Sequence, residues 1–269
     1  EKRAPRDFAL WKFSNGPIGW DAPCCRGFPG WHIECSAMSR PYLGQPFDIH
    51  TGGIDLIPTH HQNEIAQSEA AYGVPLANYW LHSEHLNMGA EKMAKSGNFI
   101  TLQTLKERGI HPLTYRYYLL QAHYRSPINF SWSALEAAQN AYFRLLIAFS
   151  AFPPSTDVIP VQTGIQAVSD DLNTSILLAQ LGEYVKAKNR ATLLEADRIL
   201  GLDIENQARK LKAEMEAIPE DIKKLSAARE DARREKDFAK ADKLRDEIRA
   251  AGFEVMDTDS GPVILKKLT

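Results

Sequence analysis

The sequence predicts an α/β segment followed by mainly helical segments and a small helical and hairpin ending. Three observations carry this: short apolar runs broken by turns up to about residue 90, apolar positions at helical spacing beyond residue 101, and alternation near the C-terminus.

From Asp7 to about Ala90 the chain is rich in Gly, Pro, Trp and His, with turn signals at Asn15-Gly16 and Gly27-Phe28-Pro29-Gly30. That texture suits loops around a sheet. Gln62 to Ala71 consists largely of good helix formers and is expected to be a helix entered from Pro58-Thr59-His60, which puts His60 and Glu64 on one face. Between Thr101 and Phe152, Leu135, Ala138, Tyr142, Leu145 and Leu146 make one apolar stripe after a cap at Ser131 or Ser133, the pattern of a bundle core. Pro153-Pro154 through Gly164 reads as a linker, and helical spacing resumes from Ser169 to about Ile218. Asp221 to Ala251 is dense in Ala, Lys, Arg and Glu, with Leu225, Phe238, Ala241, Leu244 and Ile248 as its expected apolar contacts and Gly252 as its stop. The ending FEVMDTDSGPVILKK alternates around a turn at Asp257 to Gly261 and reads as a hairpin. The expected divisions are 1–100, 101–152, 165–218 and 219–269.

At 269 residues the chain exceeds what one core ordinarily serves. Its 44% hydrophobic and 25% charged content is that of a soluble globular protein, and no run of about 18 apolar residues suggests a membrane span. The N-terminus has neither Met nor a signal pattern and reads as a cut end. Three cysteines, Cys24, Cys25 and Cys35, are too few for a disulfide framework and fit the reduced thiols of a cytoplasmic protein. A net charge of -2 gives no global attraction to nucleic acid. RNA contact would need local basic surface, for which Arg229, Arg233, Arg234, Lys236, Lys240 and Lys243 are candidates. A solvated face with pairs such as Glu230 with Arg234 is the alternative.

Cys35, His60, His61 and Glu64 are zinc-binding types, and helical spacing lets His60 and Glu64 address one ion. By themselves these residues leave open both a metal site and an ordinary buried cysteine beside a polar turn.

The stretch from Gly27 to Ala70, GFPGWHIECSAMSRPYLGQPFDIHTGGIDLIPTHHQNEIAQSEA, closely resembles the cysteinyl-tRNA synthetase family. Lys92-Met93-Ala94-Lys95-Ser96, followed by Gly97-Asn98-Phe99, resembles the KMSKS loop of class I synthetases. YRYYLLQAHYRSPINF, from Tyr115 to Phe130, is similar to the helix and turn after that loop, and a fainter likeness runs through Asp170 to Thr174 and Arg233 to Gly252.

The resemblance implies the second half of a class I Rossmann-like catalytic domain, then a stem-contact connection, a helical tRNA-binding bundle and a small C-terminal tRNA-binding domain. It implies ATP-dependent activation of cysteine to cysteinyl-adenylate, with Mg2+, and transfer to the 3′ end of tRNA(Cys). The family's zinc is held by two cysteines, a histidine and a glutamate; Cys35, expected on a strand end, His60 and Glu64 match the last three. A soft thiolate coordinates such a metal while a serine hydroxyl binds poorly, so selectivity needs no editing site. Trp31 matches the tryptophan walling the cysteine pocket, and Gly52, Gly53 and Asp55 match the GGxD element at adenosine. Lys95 and, as its companion, Lys92 match the lysines that meet ATP, where a mobile ammonium can neutralise charge building on phosphate oxygens.

The sequence departs from the family in lacking the HIGH motif and the first zinc cysteine, both of which belong to an upstream segment. A chain without that half of its catalytic domain is expected to be inactive alone. Cys24-Cys25 stands where the family has Trp-Gly, Ala94 where it has Ser, and one residue fewer separates Ser96 from Gly97. Two other readings are a cysteine ligase of the mycothiol pathway, against which the tail from Asp221 to Thr269 argues, and a noncatalytic homologue binding tRNA or a partner protein.

Overall fold

The computed structural model describes residues 2–88, 91–92, 100–154, 157, 162–258 and 261–267, with backbone alone at 91, 92 and 163. The chain divides into two compact units, Glu1–His85 and Leu86–Thr269.

The first unit opens with three short strands, β1 (Trp11–Phe13), β2 (Trp20–Asp21) and β3 (Arg26–Pro29), in the antiparallel order β1-β3-β2. Gly30 follows β3, and a side chain there would collide with the carbonyl oxygen of Ala9, so only glycine lets the strand turn directly into helix α1 (Trp31–Leu43). Strand β4 (Phe47–Gly53) runs through a 3-10 turn (Ile54–Leu56) and a π-helical turn (Ile57–His61) into α2 (Gln62–Tyr72), and β5 (Ala77–Ser83) returns parallel to β4. This β-helix-β order is a parallel crossover unit. The register pairs Ile49 with Tyr79, which are 56% and 69% exposed, so one sheet face is uncovered among the described residues. Parallel sheets are ordinarily covered on both.

The second unit begins with β6 (Leu86–Met88), which pairs antiparallel with β7 (Glu91–Lys92) and parallel with β8 (Ile128–Phe130). Helices α3 (Leu102–Glu107), α4 (Pro112–Leu120) and α5 (Trp132–Ser150) accompany this sheet. Ser131 is the cap of α5, its hydroxyl accepting from the Ala134 amide at 3.1 Å, and all five residues of the expected stripe are buried. The C-terminal half of that stripe packs with α7 (Thr174–Lys186), α8 (Arg190–Leu200) and α9 (Ile204–Glu216) in one core, to which Leu177, Leu193 and Ile204 contribute. Tyr142 is wholly buried there and donates to the Leu202 carbonyl at 2.7 Å.

Helical structure resumes earlier than the spacing indicated, at α6 (Gln162–Ser169). Asp221 to Ala251 is two helices, α10 (Glu220–Arg234) and α11 (Phe238–Ala250), parted by a turn in which Lys236 takes φ 62°. Phe238 stands at the N-terminus of α11, 63% exposed, rather than in the apolar seam. Strands β9 (Phe253–Thr258) and β10 (Gly261–Lys266) form the expected hairpin, and its tip, 259–260, lies outside the described residues. No helix among the described residues is long and apolar enough to cross a membrane.

Candidate metal centre

In the first unit α1 and α2 meet through polar side chains. His32, Cys35 and Ser36 share one face of α1, being three and four residues apart; His60, Glu64, Gln67 and Ser68 recur at the same spacing through α2 and its preceding turn. The Ser68 and Ser36 hydroxyls lie 2.7 Å apart, and the Gln67 amide donates to the Ser36 hydroxyl at 2.5 Å and to the His32 carbonyl at 2.6 Å. These bonds fix the helices' register and bring Cys35 opposite His60. Cys35 is thus placed by a helix and not by a strand end, because α1 starts four residues before it.

Cys35 Sγ lies 3.5 Å from His60 Nε2, which lies 3.3 Å from Glu64 Oε1. The three ligand atoms fall within 4.8 Å of one another, and His60 and Glu64 are buried, Glu64 completely. Tetrahedral zinc with ordinary Zn–S, Zn–N and Zn–O bonds would separate such atoms by ~3.3–3.6 Å. The 3.5 Å and 3.3 Å separations fit. Glu64 Oε1 is also sealed from solvent without a hydrogen-bond partner, its approach to His60 lacking hydrogen-bond geometry. A buried carboxylate oxygen in that condition is costly unless a cation completes it. Thiolate, imidazole and carboxylate make a zinc donor set with room for a further ligand.

The supporting residues lie around this triad. His50 Nε2 donates to Glu64 Oε2 at 2.9 Å, since a carboxylate only accepts. His60 Nδ1 and His32 Nδ1 are 2.8 Å apart; a metal-binding Nε2 requires the proton on His60 Nδ1, which then donates to His32. Burial and then His60 hold His32 below the ordinary imidazole value, so it is neutral and able to accept. Burial opposes ionisation of Glu64 more than any other single influence, yet the hydrogen bond from His50 and the nearby Cys35 thiol together hold its carboxyl below the ordinary value. Burial first, then Glu64, pushes the metal-free Cys35 thiol up to about 11.

His50, His61 and Glu64 form a second convergent group. Its His50 nitrogen is already committed to Glu64, so the group supports the first triad. His61 Nδ1 meets His82 Nε2 at 2.7 Å, and the ring lies among those of His50, Trp80 and His82. Burial and then His50 lower its pKa to about 4. A side chain on Gly52 would come within 2.6 Å of His61 Cε1, so Gly52 is glycine for this ring as well as for any backbone approach by a ligand.

Trp31 lies over His60 with ring centroids 4.1 Å apart and is 56% exposed, so it is not a core aromatic. Asp55, in the turn after Gly53, stands 3.7 Å from His85 Nε2. Cys24 and Cys25 have sulfurs 3.2 Å apart in the β2–β3 turn, and neither joins a metal-binding group among the described residues. Lys92 contributes its backbone to β7, paired with Asn87; Lys95 lies outside the described residues. Sequence reasoning missed the supporting roles of His32, His50, His61, His82 and Gln67. Only the spacing of His32 to Cys35 was a local signal.

The parallel crossover and its sulfur, nitrogen and oxygen triad define an α/β unit with a candidate metal-binding group. A family model described as "tRNA synthetases class I (C) catalytic domain" matches residues 1–140, and a second, "Cysteinyl-tRNA ligase anticodon binding domain", matches residues 215–261. The chain belongs to the cysteinyl-tRNA synthetase family of class I synthetases. Among curated relatives, "Cysteine--tRNA ligase 1" of Burkholderia lata is 45% identical over 97% of this chain and 57% of its own length. Cysteine--tRNA ligases of Legionella pneumophila (strain Corby) and Caldicellulosiruptor saccharolyticus are 44% and 41% identical over 97% of the chain and 60% and 62% of their lengths. The chain thus spans about three fifths of these relatives.

Proposed function

We propose that this chain carries the amino-acid-selecting part and the tRNA-binding part of a cysteine–tRNA ligase. The observation that carries the reading is the Cys35, His60 and Glu64 triad, whose spacing fits zinc and whose buried Glu64 Oε1 lacks a partner. Bound there, zinc would supply a soft acceptor that distinguishes a cysteine thiolate from a serine hydroxyl. His50 holds Glu64 in position, His32 fixes the tautomer of His60, and Trp31 shields the His60 ring while leaving one side open to a small amino acid. Gly52, Gly53 and Asp55 are assigned to adenosine, where a carboxylate can accept ribose hydroxyl protons. Lys95, with Lys92, is assigned to ATP, neutralising charge as the cysteine carboxylate attacks the α-phosphate and pyrophosphate leaves. Residues 101–152, 165–218 and 219–269 are assigned to tRNA.

The experiment is ATP–pyrophosphate exchange by the gene product that contains this chain, with Mg2+ present. Exchange stimulated by cysteine and not by serine supports the reading. No amino-acid-dependent exchange leaves the noncatalytic reading, and exchange with cysteine transfer to an amino sugar supports the mycothiol reading. The match of residues 215–261 to an anticodon-binding domain favours tRNA over the amino sugar.

A further inference from the structure

In the second unit a polar cleft of about 250 Å³ opens between α5, α11 and the C-terminal hairpin. Arg144 lines it from α5, Arg245 from α11, and Lys266 and Lys267 from the end of β10. Two acids share the wall, and both are engaged. Asp257 takes a two-pronged bond from Arg229 at 3.0 and 3.2 Å and a contact from Arg233 at 3.3 Å, while Glu254 pairs with Arg249 at 3.4 Å. Among the described residues none of the four cations joins an ion pair; Arg144 reaches only the Asp257 carbonyl, at 3.3 Å. Arg245 Nε is sealed from solvent and finds no acceptor. Helix α5 and the consecutive α11 and hairpin thus converge unpaired positive charge on one concavity, with a buried donor lacking a partner.

A buried guanidinium N–H without an acceptor is unfavourable, and a tetrahedral oxyanion offers several acceptors to the guanidinium fork and the flanking ammonium groups at once. We propose that this cleft is a phosphate-binding site that grips one backbone phosphate of RNA, tying α5 to the small C-terminal domain when RNA is bound. The proposal rests on the tRNA-binding reading above and adds to it a defined subsite. Arg245 lies inside the segment that matches the anticodon-binding domain while Arg144, Lys266 and Lys267 lie outside it, so the site is shared between that segment, α5 and the end of β10.

The test measures affinity for a tRNA(Cys) transcript across a salt series, for the wild-type chain and for Arg245→Gln, Arg245→Lys and Arg144→Gln, with thermal melting as a folding control. Loss of one phosphate contact lowers the slope of log affinity against log salt by about one. Arg245→Gln and Arg144→Gln should each show that loss while Arg245→Lys keeps the slope, and the two Gln changes combined should lose no more than either alone. Unaltered slopes in both folded Gln variants overturn the proposal; if one variant fails to fold, the other decides. If inorganic phosphate raises the melting temperature of wild type but not of Arg245→Gln while RNA slopes stay equal, the site takes a free anion and its assignment to RNA is overturned. Failure of the wild-type chain to bind tRNA at all would instead remove the reading on which the proposal rests.

Discussion

His50 donates to one oxygen of Glu64 across 2.9 Å and leaves the other oxygen facing Cys35 and His60. That contact sets the carboxylate's orientation before any ion arrives. Removing it in His50→Ala should weaken zinc binding by about 10- to 100-fold, the usual effect of losing a group that orients a ligand. Competition against a chromophoric chelator measures this. Unchanged affinity would reduce His50 to its stacking on Trp80, at 4.6 Å between centroids.

Gly52→Ala places a methyl carbon against the His61 ring, which is 2% exposed. Overpacking of this kind costs ~1–3 kcal/mol. Urea unfolding should show that loss, and a cost near zero would mean that His61 can move without consequence.

Arg229 was among the basic residues expected to face RNA, but it is 2% exposed and bound to Asp257 and Glu230. It holds α10 to the hairpin and is not a free phosphate contact. Arg229→Met should destabilise the chain by about 2–3 kcal/mol, below the ~3–5 kcal/mol of a fully buried broken pair because Asp257 is half exposed. An unchanged denaturation midpoint would show the pair to be energetically neutral. The Glu230 to Arg234 pairing is likewise replaced, by Glu230 with Arg229 and Asp231 with Arg234.

The same pair makes stability depend on acid. Hydrogen bonding by Arg229 holds the Asp257 carboxyl below its ordinary 3.8. A carboxyl with a depressed folded-state pKa contributes stability that is present above the unfolded value and lost as pH falls through the folded one. Melting followed below pH 4 should therefore show a loss in wild type that is smaller in Asp257→Asn. Equal acid sensitivity would remove Asp257 from the cause.

Local periodicity made much of the fold legible. The stripe from Leu135 to Leu146, the Ser131 cap and the closing hairpin depend on spacings within one element, as does the shared face of His60 and Glu64. Helix α1 was hidden because its inward face carries Cys35 and Ser36 rather than apolar residues, and Pro41 interrupts its pattern. The contacts of His50 with Glu64 and His61 with His82 depend on the parallel register of β4 and β5, which no local spacing encodes. Along α10 many cations look alike, and only the hairpin carboxylate of Asp257 selects Arg229 for burial.

The most direct measurement is zinc-edge X-ray absorption of the zinc-loaded chain, with Cys35→Ser beside it and with free cysteine or serine added. One sulfur at ~2.3 Å with nitrogen and oxygen at ~2.0–2.2 Å is expected, lost in Cys35→Ser and joined by a second sulfur when cysteine, but not serine, is present. A chain that takes up no zinc, or a spectrum unchanged by Cys35→Ser and by cysteine alike, would contradict the assignment of Cys35, His60 and Glu64 as the centre that recognises the amino acid.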